Sequence, residues 1–451
     1  MPMNPLKISV AGVRGIVGET FTPDLVIRFS RAFATYLGGA EVAVCRDTRP
    51  SSGMVHSAVL SGLLSCGSRP VDLGVCPVPT LELAVAGSKL RGGIAISAGH
   101  NPLDWNALKF VRHDGIYLNE REAEELLDIF HLGRFLAAPW SKIPKIRRID
   151  DAKEKHFEKI VSGTGLRKSG RAGLKVVVDA CGGTCGDMAE KLLKEAGCEP
   201  VMLNTEPGKK IPHYPEPTPR NMDLLSTVVR TSSADAGFMF DTGGERLGVA
   251  TEKGEPLPDE STLLLCALAA LGERSGPVVT NLSTTHALEE IAEKHRSTVT
   301  RVPIGQAYVA EEALKTGAVI AGEGSGGVIV PEVQAAQDSL AAMALIIRLL
   351  QRGDATLSEI VQTLPRLHML KKKLPMEFTT IFSSLERARK KIESNPRGAA
   401  LDMTDGIKTS WKDSWVHIRA SNTQSLIRII AEAKTQKRAR ELIAWGEKLL
   451  K

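Results

Sequence analysis

Aromatic side chains are scarce, at 4% of a 451-residue chain. No Lys/Arg run is interleaved with them, and the densest basic stretches, Lys371-Lys372-Lys373 and 434–440, read as solvated surface. A nucleic-acid interface, which pairs a basic patch with stacking rings, is therefore not expected. A strong charge of one sign is missing as well. The 58 Lys+Arg against 52 Asp+Glu leave only +6. No stretch approaches the roughly 18 uncharged apolar residues of a membrane span. The N-terminus lacks a basic region followed by an apolar core, so no secretory signal is expected. The cysteines number seven, an odd count in a long chain, and do not form a disulfide framework. Cys181 and Cys185 lie four apart, but no second Cys/His pair follows at zinc spacing, so they read as incidental thiols. With 43% hydrophobic and 24% charged residues the chain has the composition of a folded protein. Disorder and low-complexity classes are excluded, and a cytoplasmic setting is expected.

Short apolar strands alternate with helical stretches. The runs 41–45 (EVAVC), 175–179 (KVVVD) and 277–281 (PVVTN) are Val-containing and bounded by turn residues. The second and third lead into amphipathic helices at 188–196 and 286–295. That pattern belongs to sheets with parallel strands covered on both faces. The three units lie about 135 and about 100 residues apart, which suggests three related α/β domains. Breaks fall near 139–149, 254–259 and 364–375. The expected domains are 1–149, 150–256, 257–367 and 368–451, the last a smaller C-terminal α+β domain with a strand at 415–419 and a closing helix at 436–450.

One polar loop stands out in each. The first is Ser97-Ala98-Gly99-His100-Asn101-Pro102, after a strand-like 93–96. Its backbone N–H groups could cradle an anion, or it is a turn built from Gly and Asn-Pro. The second is Asp241-Thr242-Gly243-Gly244-Glu245-Arg246, after the apolar 237–240. Its two carboxylates could share a hard cation such as Mg²⁺ beside a phosphate-seeking Arg246, or form a surface turn with a Glu–Arg pair. The third is Gly322-Glu323-Gly324-Ser325-Gly326-Gly327, after 318–321. Glu323 and Ser325 could read neighbouring sugar hydroxyls where glycines admit close approach, or the segment is a flexible loop. The fourth is Arg419-Ala420-Ser421-Asn422-Thr423-Gln424, with Arg428 in the following strand. A guanidinium, two hydroxyls and an amide make a dense set of phosphate donors, against a merely structural turn.

In this order and at these separations, the four loops resemble those of the α-D-phosphohexomutase superfamily, which includes phosphoglucomutase/phosphomannomutase and phosphoglucosamine mutase. The resemblance runs over nearly the whole chain. It includes Ala11-Gly12-Val13-Arg14-Gly15-Ile16, Arg46-Asp47-Thr48-Arg49, Pro77-Val78-Pro79-Thr80, Trp105-Asn106-Ala107-Leu108-Lys109-Phe110, Pro215-Glu216-Pro217-Thr218-Pro219 and Asp405-Gly406-Ile407-Lys408. It implies four domains around a central cleft, three of them related mixed or parallel-sheet α/β units. It implies a hexose-phosphate ligand whose phosphoryl group moves between O6 and O1 through a sugar 1,6-bisphosphate. In the family a phosphoserine in the first loop carries the phosphoryl group and Mg²⁺ sits in the second. The third loop reads sugar hydroxyls and the fourth holds the other phosphate. Arg14 would contact the transferring group, and Lys109 with His100 would move a proton. The 105–109 and 322–327 segments look more like the phosphoglucosamine branch.

Several positions depart from the family pattern. The carrier serine is Gly99. Ser97, two residues back, would be displaced by roughly 6–7 Å along an extended segment. In the metal loop Asp241 and Glu245 remain but the middle carboxylate is Gly243, so weaker Mg²⁺ binding is expected. The fourth loop has Gln424-Ser425 where the family has Glu-Pro, and Gly327 replaces a histidine of several members. Two functions stay open: a mutase that draws its phosphoryl group from a bound bisphosphate, and a sugar-phosphate-binding protein without turnover.

Overall fold

The computed structural model describes residues 6–9, 12–168, 170, 171, 173–209, 211–394, 398–421 and 425–450. Four sheets organise the chain. The first has seven strands in the order Lys7–Ser9, Gly12–Ile16, Trp105–Arg112, Gly92–Ile96, Val42–Arg46, Pro70–Val75, Arg147–Arg148. Its centre is parallel, and Trp105–Arg112 runs antiparallel against Gly92–Ile96.

The second and third sheets repeat that central pattern. In the second, Lys175–Asp179 lies between parallel Glu199–Leu203 and Ala236–Phe240, and Leu247–Thr251 closes the edge antiparallel. In the third, Val278–Asn281 lies between parallel Val299–Val302 and Ile320–Glu323, closed by antiparallel Gly327–Ile329. The expected kinship of the three α/β units is thus a shared topology: strand order two, one, three, four, with only the fourth reversed. The fourth sheet is wholly antiparallel, in the order His368–Pro375, Leu426–Ala433, Ser414–Ala420, Ile407–Trp411, Ala400–Asp402. Phe378–Ser394 and Gln436–Leu450 pack on it.

The elements follow from local chemistry. Central strands such as VVVD at 176–179 are buried on both faces because helices cover both sides. The helix Pro23–Tyr36 starts where Thr22 accepts the Leu25 N–H and proline takes the first turn. Glu120–Leu132 opens with a reciprocal Asn119/Glu122 capping box and stops at Gly133 in the left-handed region. One apolar cluster joins the second and third domains, running from Val176 and Phe238 to Leu263, Ile320 and Ile346. Such a shared core resists relative motion of the two.

Several element bounds shift against the sequence reading. The third polar segment is shorter than expected: Gly322 and Glu323 end a strand and Gly327 begins the next, so only 324–326 form the turn. The 318–321 strand is displaced to Ile320–Glu323, because its backbone pairs with Val278–Thr280. The break near 364–375 contains an edge strand, His368–Pro375, whose three consecutive lysines, 371–373, are all exposed. No helix among the described residues is long and apolar enough to cross a membrane.

Candidate active site

In each α/β domain the expected loop occupies one topological position, the turn between the third parallel strand and its antiparallel neighbour. These are 97–104, 241–246 and 324–326. Three hairpin tips therefore meet at the strand C-terminal ends, where open α/β sheets bind ligands. The first two tips, the strand end at Glu323, the 304–308 segment and the fourth sheet line a cavity of about 320 Å³. Its wall includes Arg14, His100, Lys109, Asp241, Glu245, Arg246, Glu323, Arg419, Ser421 and Arg428. The fold brings these ten sequence-predicted residues together. Ser325, at the third tip, does not line the cavity. Asn422 and Thr423 lie outside the described residues.

The first loop is held from below. Arg49 donates to the carbonyls of Gly99, Asn101, Pro102 and Trp105 at 2.7, 2.7, 2.5 and 3.2 Å. Its Nε pairs with Asp47 Oδ2 at 3.1 Å, both side chains being fully buried. Five donors in a rigid fork suit this task. Thr242 Oγ1 adds a bond to the Gly99 carbonyl at 2.8 Å. Ser97 is not poised as a nucleophile: its hydroxyl donates to Asp47 Oδ2 at 2.8 Å and accepts the Gly99 N–H at 3.1 Å. Gly99 itself has φ +53°, and a Cβ there would stand 2.8 Å from Asp241 Oδ2.

The second loop winds around Asp241. Its Oδ1 accepts N–H groups from Gly244, Glu245 and Arg246 at 2.8, 2.8 and 3.3 Å. Burial and then the neighbouring Glu245 charge push the Asp241 carboxyl up from its ordinary value. Glu245 moves the other way. Burial pushes its carboxyl up, but the Lys109 ammonium and the Tyr117 hydroxyl outweigh it and hold it below the usual carboxylate range. Lys109 Nζ bonds Glu245 Oε2, and Tyr117 OH donates to Oε1 at 2.6 Å. Both Glu245 oxygens are thus engaged, one of them by a protein cation. An octahedral Mg²⁺ is commonly held by one or two carboxylates, with waters and ligand phosphates completing its shell. Here Asp241 Oδ2 is the one carboxylate oxygen of the pair with no hydrogen bond among the described residues, and positions 99 and 243 supply no side chain. This donor set would hold Mg²⁺ through Asp241, more weakly than a loop with several free carboxylates.

Beyond the second loop the wall carries Arg14, Arg419 and Arg428, with the carboxylates of Glu120 and Glu323. Burial lowers the Arg14 pKa, followed by the Arg246 and Arg428 charges. Burial and then Arg246, Arg14 and Lys109 hold His100 well below its ordinary value, so its imidazole is neutral. Arg428 Nε is buried without a hydrogen-bond partner among the described residues. Glu323 accepts from Asn281 at 2.7 Å and from Gln337 at 2.8 Å, which aims its carboxylate. Asp405 ties two domains at the rim, accepting from Arg419 Nε at 3.0 Å and the Ile304 N–H at 2.9 Å. Arg49, Tyr117, Asn281, Gln337 and Asp405 were not among the predicted site residues. Arg49 and Asp405 lay within motifs already quoted; Tyr117, Asn281 and Gln337 had no local signal.

Family models match all four domains. Phosphoglucomutase/phosphomannomutase alpha/beta/alpha domains I, II and III match residues 6–136, 154–254 and 258–367, and the C-terminal domain matches 381–444. A phosphoglucomutase/phosphomannomutase of Thermococcus kodakarensis is 33% identical over 449 residues, covering 97% of each chain. A protein of Methanopyrus kandleri named "probable phosphoglucosamine mutase" is 33% identical over 441 residues, covering 96% of this chain and 95% of its own. The crystal structure of a phosphoglucomutase/phosphomannomutase family protein from Burkholderia thailandensis aligns with a TM-score of 0.86 at 26% identity, covering 98% and 97% of the two chains.

Proposed function

We propose that this chain, which belongs to the phosphoglucomutase/phosphomannomutase family of phosphohexomutases, takes a glucosamine or mannose phosphate into its cleft. There it interconverts the 6- and 1-phosphates with a sugar 1,6-bisphosphate as phosphoryl source. The observation that carries this reading is the convergence of Arg14, Arg246, Arg419 and Arg428 with Lys109, His100 and Glu323 on one cavity of about 320 Å³. Four arginines on one small cavity suit the phosphate groups of a sugar phosphate or bisphosphate. Glu323, braced by Asn281 and Gln337, suits hydroxyls of the sugar between them. The cysteines are all unpaired thiols, which fits the cytoplasm as the setting.

The transfer balances without a protein carrier. The P–O bond to the donor oxygen breaks as a P–O bond to the acceptor hydroxyl forms. The acceptor becomes the new bisphosphate, its hydroxyl proton passes to the neutral His100 imidazole, and that proton goes on to the departing donor oxygen, which leaves as a hydroxyl. Lys109 and Arg14 offset charge on the moving group. The family generally uses Mg²⁺; Asp241 would hold it here, and when bound it would offset charge on the moving group.

A second reading rests on an observation of its own. Position 99 has no hydroxyl, Ser97 is tied to Asp47, and the cavity is at the small end for one ligand. Under this reading the protein binds a sugar phosphate without turnover. Phosphorus NMR of the full chain with glucosamine 6-phosphate and a trace of its 1,6-bisphosphate decides between the two. A growing 1-phosphate signal supports the mutase. A substrate signal that broadens or shifts without conversion supports binding alone. Neither effect, with mannose 6-phosphate giving the same result, overturns both. Arg246→Ala or Arg428→Ala is expected to weaken binding about tenfold or more, the loss of a charge-assisted bond to phosphate.

A further inference from the structure

The loop after Lys175–Asp179 gathers three side chains that the cleft does not use. Asp179, Cys181 and His213 each place one ligating atom within 4.8 Å of the other two. Asp179 and Cys181 are buried, and the His213 side chain is 10% exposed.

His213 lies between two oxygen acceptors. Nδ1 is 2.9 Å from the Tyr214 carbonyl, and Nε2 is 2.8 Å from Asp179 Oδ2. A neutral imidazole has one N–H and can satisfy only one of them. With Nδ1–H on the carbonyl, the Nε2 lone pair faces a carboxylate oxygen, and that contact calls for a cation, either a proton or a metal ion. The surrounding bonds are those that orient metal ligands. The Tyr214 carbonyl can take the Nδ1 proton and leave Nε2 as the ligating atom. Asn204 Nδ2 donates to both Asp179 oxygens at 2.9 and 3.0 Å, and the Cys181 N–H donates to Oδ1 at 2.9 Å. A thiol as the third donor selects a thiophilic ion over Mg²⁺ or Ca²⁺. Tetrahedral Zn²⁺ with S, N and O ligands sets its ligand atoms roughly 3.3–3.8 Å apart. The Nε2–Oδ2 contact reaches that range by opening less than about 1 Å. His213 also borders a surface cavity of about 510 Å³, through which an ion and a fourth, water ligand can enter.

We propose that Asp179, Cys181 and His213 form a binding site for one thiophilic divalent cation of the Zn²⁺ class, distinct from the cleft. Binding forms a metal–sulfur bond and releases the thiol proton to solvent. The site braces the cleft from behind. Thr184, three residues after Cys181, donates from its N–H and hydroxyl to the Thr242 carbonyl at 3.2 and 3.1 Å. Thr242 in turn holds the Gly99 carbonyl at 2.8 Å.

The test uses the full chain, stripped with a chelator, given one equivalent of Zn²⁺, desalted, and measured for bound metal and melting temperature. The expected result is one Zn²⁺ per chain and a raised melting temperature. Co²⁺ in its place should show a thiolate-to-metal charge-transfer band. Cys181→Ser and His213→Gln should each weaken retention at least tenfold, whereas Cys185→Ser should leave it unchanged. His213→Gln keeps a polar side chain at a partly exposed position, so it tests the site even if Cys181→Ser does not fold. No retained metal, retention unchanged in His213→Gln, or a Co²⁺ spectrum without the thiolate band would overturn the proposal and leave a proton as the only cation there.

Discussion

Gly99 adopts φ +53°, and a side chain there would meet Asp241 Oδ2 at 2.8 Å. A non-glycine residue in the left-handed region costs roughly 1–2 kcal/mol. Gly99→Ser is therefore expected to lower stability by about that amount in urea unfolding. It is not expected to hold a stable phosphoryl label from a sugar bisphosphate. Lys109 presents a different case, since it satisfies the buried Glu245 carboxylate. Lys109→Met would leave that charge with the Tyr117 hydroxyl and the more distant Arg246, at a cost of about 3–5 kcal/mol. The pH dependence has a definite sign. The folded-state Glu245 pKa lies below its ordinary 4.5. Its contribution to stability is present above pH 4.5 and is lost as pH falls through the folded value. Acid unfolding of Lys109→Met should lack that share of the loss, which urea titrations at pH 3.5 to 7 would reveal.

The helices that close the α/β domains are bound by one buried polar chain. Asp338 caps Ser339–Gln351 by accepting the Leu340 and Ala341 N–H groups, at 3.1 and 3.2 Å. Its other oxygen meets His156 Nε2 at 2.7 Å, and His156 Nδ1 meets Thr80 Oγ1 at 2.8 Å. The chain thus links helices Val78–Ala86, Ala152–Thr164 and Ser339–Gln351. Asp338→Ala removes the cap and strands a buried imidazole. A loss of about 3 kcal/mol or more is expected in chemical unfolding, well beyond the roughly 1 kcal/mol of a cap alone.

The cleft depends on the fourth domain staying seated. Asp405 joins Arg419 to the Ile304 backbone, Ser283 Oγ lies 2.8 Å from His417 Nδ1, and Lys408 donates to the Leu282 carbonyl at 2.6 Å. Asp405→Ala should leave the fold intact, since it removes one contact among several. It should weaken hexose-phosphate binding by about tenfold, because Arg419 loses its orienting carboxylate. Calorimetric titration gives the affinity, and small-angle scattering checks that the molecule has not opened.

The sequence by itself determined the leading strand of each of the three related units and the identity of the four loops. Alternating apolar runs and turn residues are local signals, and Gly99 and Gly243 announce missing side chains wherever the chain goes. What only the tertiary structure decided is which groups are already engaged. Nothing local says that Lys109 reaches Glu245 across 136 residues, or that Ser97 is tied to Asp47. Nor does spacing bring His213 to Cys181, because that contact arises from a loop folding back over the strand ends. Hydrogen-bond satisfaction in a buried site depends on long-range pairing, and pairing is set by the packing of whole domains.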